Sequence, residues 1–314
     1  MELRVQPRAT AHVPWVLVVG VLLTAAVGIY NLASASRPPA SPVWMSQVLY
    51  LGVGVGMVIG VALLDYRLIQ RATVPLYLLN IGALIALKFF GHTAKGAESW
   101  FVIGPFRVQP AEFMKLGMVL MLAKYFHDDD RPNQPAQDEQ RFTIIRHKLK
   151  KHQDARITGW LDPMSDLRGS NYHAMLSKIA VGSGGWSGKG WMEGTQTGLR
   201  FLPEQHTDFI FSVFAEEQGF ARCLVLLALF GVILLGGLGV ALSAKERYGA
   251  FVAVGICAMI FWQVFENIGM VTGLLPITGI TLPLMSYGGS SMVSVMLGIG
   301  LLVNVSMRRQ IFRG

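Results

Sequence analysis

Seven apolar stretches, 13–33, 43–64, 74–90, 111–126, 220–242, 248–272 and 285–305, come near the length a helix needs to cross a bilayer. About 20 apolar residues in helix span the roughly 30 Å hydrocarbon core. Of the 314 residues, 52% are hydrophobic and 15% charged, a balance that a water-soluble domain with so many such stretches would not carry. The expected fold is therefore all-α: a polytopic transmembrane protein with about seven spans. The first stretch is long enough to remain as a span rather than be removed as a leader. Cys223 and Cys257 both lie in apolar spans and read as small core residues, not as a disulfide or metal pair.

The net charge of +8 invites a nucleic-acid reading. Its placement argues otherwise, because Lys and Arg concentrate at alternate ends of the spans, as the positive-inside rule requires. No repeated basic–aromatic pattern suggests base stacking. Arg4 and Arg8 put the N-terminus inside, and Arg67, Arg71, Lys124, Lys245, Arg247, Arg308, Arg309 and Arg313 mark further inside turns. The uncharged loop 273–284 and the acidic cluster around Asp208 are then outside. The two halves do not join: the chain is inside at Phe126 and outside by His206, which needs an odd number of crossings. Residues 128–156 are full of charge, and nothing from there to Pro203 is apolar over 18 residues. Backbone cannot cross lipid with its hydrogen bonds unmet. A crossing lost from the chain is the favoured account; a loop hidden inside protein is the other. The organisation expected is a four-span bundle at 1–126, a charged linker at 127–155, an extracytoplasmic catalytic loop at 156–208 and a three-span bundle at 209–314.

The candidate chemistry lies in LPEQHTDFIFSVFAEE (202–217), which sets Glu204, His206, Asp208, Glu216 and Glu217 beside an apolar run. Ionisable groups at a membrane boundary are costly and mark chemistry or a polar partner. Asp208 has two readings. Thr207 or Asp208 caps a helix, or Asp208 is a general base whose pKa partial desolvation raises. Glu204 and His206 would tune it, and Glu216 and Glu217 would pair with cations or face a cavity. Upstream, 182–190 is rich in Gly around Lys189. The spacing rejects a phosphate-binding P-loop, since Lys189 is followed by Gly190. What remains is a flexible surface loop or a groove wall for an anionic head group, with Lys178 and Arg200 adding charge. Glu112 and Lys115 share one helix face, either as a self-satisfied pair or with Lys115 offered to a diphosphate. Trp100 sits in another outside loop. Asn267 can bond between helices. The stretch from Leu274 to Ser291, including Ser290, has paired glycines and prolines that break helix, and either turns the chain or lines a cavity.

Three stretches, GAESWFVIGPFRVQPAEFMKL (96–116), SKIAVGSGGWSGKGWMEGTQTGLRFLPEQHTDFIFSVFAEEQG (177–219) and NIGMVTGLLPITGITLPLMSYGGSS (267–291), resemble the SEDS family (shape, elongation, division and sporulation) and within it the rod-shape-determining RodA branch. The resemblance implies a peptidoglycan glycosyltransferase of the bacterial plasma (inner) membrane that polymerises lipid II into glycan strands for cell elongation and rod shape. It implies a class B penicillin-binding protein and other elongation-complex membrane proteins as partners. The family's essential aspartate falls on Asp208, its fourth-span lysine on Lys115 and its tryptophan on Trp100. Asp208 would take the proton from an attacking GlcNAc 4-hydroxyl, and an α-linked donor giving a β-linkage implies one inverting displacement. Lys115, loop cations or a divalent ion, Mg or Mn, would stabilise the leaving diphosphate. Glu112, Lys189, Arg200, Glu204, His206, Glu217 and Ser290 are the further candidate substrate contacts. Family members have ten spans, so three crossings are expected to be missing between 127 and 152, an odd number. A flippase or transporter for a lipid-linked oligosaccharide, and an inactive truncated scaffold that binds a penicillin-binding protein, are the competing readings.

Overall fold

Each of the seven apolar stretches is a helix in the computed structural model, which describes residues 13–36, 43–90, 92–94, 97–103, 106–128, 170–199 and 204–308. They are α1 (Trp15–Ala35), α2 (Val43–Leu63), α3 (Tyr66–Phe90), α4 (Pro110–Asp128), α7 (Ile210–Ser243), α8 (Arg247–Thr272) and α9 (Gly289–Met307). Six of them have the length and composition to cross a membrane. The exception is α4, whose Glu112, Lys115, Lys124 and Asp128 break its apolar character, so the expected fourth span has the length but not the composition. Between α3 and α4 lies a small antiparallel sheet of β1 (His92–Ala94), β2 (Ala97–Ile103) and β3 (Phe106–Val108), in that order. The all-helical expectation did not include it. Two shorter helices, α5 (Ser170–Ser183) and α6 (Thr195–Gly198), precede α7. The charged linker expected at 127–155 lies outside the described residues beyond Asp128.

Apolar side chains alone do not hold helices together in lipid; close approach at small residues and buried polar bonds do. Helix α9 runs along α2, where a Cβ on Gly54 would come within 2.7 Å of Met296 Cγ and one on Gly300 within 3.1 Å of Val58 Cα. At one end of this pair the Asn304 amide donates to the carbonyls of Val61, Ala62 and Leu64, at 2.8, 3.2 and 2.9 Å. Val61 and Ala62 lie in the last turn of α2, whose carbonyls lack the usual i+4 donors, and Leu64 follows the helix. Helix α1 packs on α7, and α8 sits between α7, α4 and α9. The packing gathers the ends read as outside at one end of the bundle: Gln205 donates to Ala35 O, Gln47 to Ser286 O, and Ser290 Oγ accepts from the Gln109 amide.

Helix α7 starts ten residues before the apolar stretch at 220, and the reason is a break. Gly219 has φ 75° and ψ 177°, which interrupts the helical ladder. Four backbone groups are thereby orphaned, and each needs a partner. The glycine-rich loop after α5 supplies all four. Lys189 and Gly190 donate to the carbonyls of Glu216 and Glu217 at 3.1 and 3.0 Å, and the amides of Phe220 and Ala221 donate to Gly185 and Trp186 at 2.9 and 3.1 Å. The loop, read as a flexible surface segment or a groove wall, is thus docked on the break, where the Lys189 and Gly190 N–H groups are spent. A Cβ on Gly219 would lie 2.2 Å from Gly188 N, and one on Gly188 2.2 Å from Glu217 O. Gly219→Ala should lower stability by about 1–3 kcal/mol from backbone strain alone, and more from the clash. Gly231→Ala, on the same helix with nothing within 4 Å, should be close to neutral. Thermal melting of both purified variants checks this, and equal melting would refute it.

Candidate active site

Residues 204–209 form a run of turns that leads into α7. Glu204 takes a left-handed conformation, φ 54°, so the chain reverses there and its carbonyl accepts from the amides of Thr207 and Phe209. Thr207 Oγ1 turns back to Glu204, at 3.3 Å from the carbonyl and 3.2 Å from Oε2. The N-cap position of α7 is Phe209, with no side-chain cap. Phe209, rather than Thr207 or Asp208, is therefore the N-cap residue, and Thr207 is committed to the turn before it.

The turn is stitched to the broken-helix loop 273–288. Tyr287 N donates to His206 O at 2.9 Å, and Ser286 Oγ donates to Thr207 O at 2.7 Å. The Asn267 amide donates to both Asp208 O at 2.9 Å and Ile280 O at 2.6 Å. Asp208 is half-buried. Its carboxylate lies against Gly279, where an added Cβ would sit 3.2 Å from Oδ2. The φ of +77° at Gly279 also disfavours a side chain there. The His206 and Tyr287 rings are 6.0 Å apart. The loop read from its prolines and glycines as either turn or lining thus walls Asp208.

Lys115 bonds Glu112 Oε2 at 2.8 Å, and its side chain keeps 33% of its exposure. Ser294 Oγ lies 3.3 Å from the same Glu112 oxygen and 3.1 Å from Ser291 O. Ser291 Oγ pairs with Thr281 Oγ1 at 3.0 Å, next in the chain to the Ile280 carbonyl that Asn267 holds. A polar chain thus runs from Lys115 to the backbone of Asp208 through α4, α9, the loop and α8. Ser290 joins it by accepting from Gln109 N at 3.0 Å.

Other predicted contacts lie elsewhere. Lys189 Nζ bonds Glu216 Oε1 at 2.8 Å and Thr195 Oγ1 at 2.7 Å. Glu216 is fully buried and also accepts from Gln196 N, Thr197 N and Thr197 Oγ1. Lys189 was expected to meet an anionic substrate; here it neutralises a fully buried carboxylate. Glu217, also expected at the substrate, is fully buried and accepts from Ser34 Oγ of α1 at 2.6 Å. Trp100 is half-buried on β2, opposite His92. Arg200 lies outside the described residues. The residues the sequence reading missed are Gln47, Ser286, Ser294 and Asn31, whose amide donates to Ile210 O at 3.0 Å. For Gln47 and Asn31, a lone amide inside an apolar span was the available signal. Among the described residues no group of three or more His, Cys, Asp or Glu side chains could share a metal ion.

Removing one partner of a buried ion pair leaves the other charge uncompensated, at a cost of about 3–5 kcal/mol. Lys189→Met should therefore lower the melting temperature sharply, and Glu216→Gln added to it should restore much of the loss. A substrate-binding Lys189 would show unchanged melting and no rescue.

The model of the FtsW/RodA/SpoVE family, described as cell cycle protein, matches residues 9–146 and 139–311. The peptidoglycan glycosyltransferase MrdB of Escherichia coli K12 is 34% identical over 312 positions, covering 83% of this chain and 84% of that protein. That alignment runs longer than the share of this chain within it, so MrdB carries residues with no counterpart here. Stage V sporulation protein E of Bacillus subtilis is 33% identical, covering 92% and 96%. Among solved structures, the Thermus thermophilus rod shape determining protein RodA superposes with a TM-score of 0.67 at 30% identity, covering 94% of this chain and 97% of that one. A chain of a peptidoglycan synthase complex, described as coordinating polymerization and crosslinking, superposes with a TM-score of 0.80 at 28% identity, covering 95% and 98%. This multi-pass membrane chain belongs to the FtsW/RodA/SpoVE family, the SEDS proteins, on its RodA branch.

Proposed function

We propose that this chain is a peptidoglycan glycosyltransferase that polymerises lipid II into glycan strands for elongation and rod shape, in the plasma membrane with Asp208 on the exterior side. The carrying observation is Asp208 itself, half-buried between the 204–209 turn and the 273–288 loop, with its backbone fixed by Asn267. The names of the relatives support the reaction class. A carboxylate held this way removes the proton from the attacking GlcNAc 4-hydroxyl, while the lipid diphosphate departs from the opposite face of the sugar in one inverting step. Lys115, partly exposed though paired with Glu112, is the cation for the leaving diphosphate. A divalent ion, Mg or Mn, carried in with the substrate's diphosphate would add to that charge. A class B penicillin-binding protein and elongation-complex membrane proteins are the proposed partners, consistent with the synthase complex that superposes on this chain.

A second reading, an inactive scaffold for a penicillin-binding protein, is favoured by one observation: the family match comes in two parts that meet at 139–146, inside the charged linker.

Purified chain with its partner, incubated with labelled lipid II, should give glycan polymer, and Asp208→Asn should cut the rate by about 10²–10⁴-fold while lipid II binding persists. Full activity in Asp208→Asn would overturn the base assignment and leave the flippase reading. Polymer only from a version with the central spans restored would decide for the scaffold.

A further inference from the structure

A cavity of about 360 Å³ opens at the end of the bundle opposite Asp208. Its volume falls in the range of small-ligand pockets, and the proposed chemistry makes no use of it. Three segments distant in sequence build it: the α2–α3 turn, the α7–α8 turn and the end of α9. Each brings a cation, Arg67, Lys245 and Arg308 respectively.

Two acidic residues, Asp65 and Glu246, share the lining, so the pocket keeps an excess of one positive charge. Asp65 is already occupied. Its Oδ1 accepts from Arg67 N at 2.9 Å and lies 3.8 Å from Arg308 Nη1. The Arg308 guanidinium also bonds the Leu64 carbonyl. Arg308 Nε and the Tyr66 hydroxyl are buried atoms with no side-chain hydrogen-bond partner among the described residues, and Tyr66 faces Glu246 and the Gly249 amide. The Arg67 and Lys245 side chains are exposed.

One wall is apolar, formed by Val305 and Ala244. Close to the lining residues in the chain, Leu68 is 54% exposed and Leu242 91%. Convergent N–H and O–H donors with net positive charge beside an exposed apolar strip match a phosphate group carried on acyl chains. Basic pockets between helices at the cytoplasmic surface are the general form of such sites.

We infer that this cavity binds a phosphate-bearing anion, the head group of an anionic phospholipid of the inner leaflet, with Arg67, Lys245, Arg308 and Tyr66 as its donors. The leaflet rests on the orientation proposed above; the anion site itself does not. A soluble phosphate would meet the same donors but would leave the leucine strip uncovered.

The full chain is purified into phosphatidylcholine nanodiscs with and without phosphatidylglycerol, and retained lipid is counted by native mass spectrometry after detergent extraction. Phosphatidylglycerol should be retained in preference to phosphatidylcholine. Arg67→Gln and Lys245→Gln should each weaken retention about fivefold. Tyr66→Phe, which leaves every charge in place, should weaken it less. Thermal shift with inorganic phosphate alone separates the sources. Stabilisation by phosphate that these variants abolish, without lipid retention, upholds the anion site and makes its ligand soluble. Equal retention of both lipids together with no phosphate effect, or retention that ignores all three substitutions, overturns the proposal. Because retention is read without glycan synthesis, failure at Asp208 leaves this site standing, and its own failure leaves Asp208 untouched.

Discussion

The arrangement at Asp208 depends on one amide. Asn267 sits in α8, an otherwise apolar helix, and gives its two N–H donors to carbonyls of two different non-helical segments, Asp208 O and Ile280 O. In a membrane an unpaired backbone group costs several kcal/mol, so irregular chain survives there only when protein supplies the partners. Ser286, Gln47 and the Tyr287 amide complete that supply from the loop and from α2. The 204–209 turn and the 273–288 loop are therefore one hydrogen-bonded unit, and the carboxylate that belongs to one is positioned by the other.

The break in α7 obeys the same rule with a different outcome. Its four orphaned groups are met by the glycine-rich loop, strand-fashion, and only glycine fits at Gly188 and Gly219. The carboxylates on either side of this architecture then have opposite fates. Glu216 is sealed in by Lys189 and a ring of Thr and amide donors. Glu217 is sealed in against α1. Asp208 stays half-open beside Gly279. Residues at 208, 216 and 217 look alike in a composition count; burial and partners divide them into two sealed carboxylates and one half-open one.

What could be read in advance follows this division. The apolar stretches matched helices because length and composition decide spanning segments in lipid with little help from context. Glu112 and Lys115 were legible as a pair because three residues of helix bring them to one face. Lys189 was read as a substrate contact because a lysine among glycines looks like an anion site; its bond to Glu216 appears only once the glycines are docked on a broken helix. The sheet at 92–108 was missed, since its strands are only three to seven residues long and carry no sustained alternation.

The sequence by itself determined the class of molecule, the ends of the bundle at which its polar residues gather, and the candidate status of Asp208. These rest on local length, charge placement and the cost of ionisable groups near lipid, all properties of short stretches. Only the tertiary structure decided that Asn267, Ser286 and Gln47 hold the site, that Lys189 and Glu217 do not face it, and that a second polar cavity exists at the opposite end. Hydrogen bonds between residues far apart in the chain make those choices, and no local pattern encodes them.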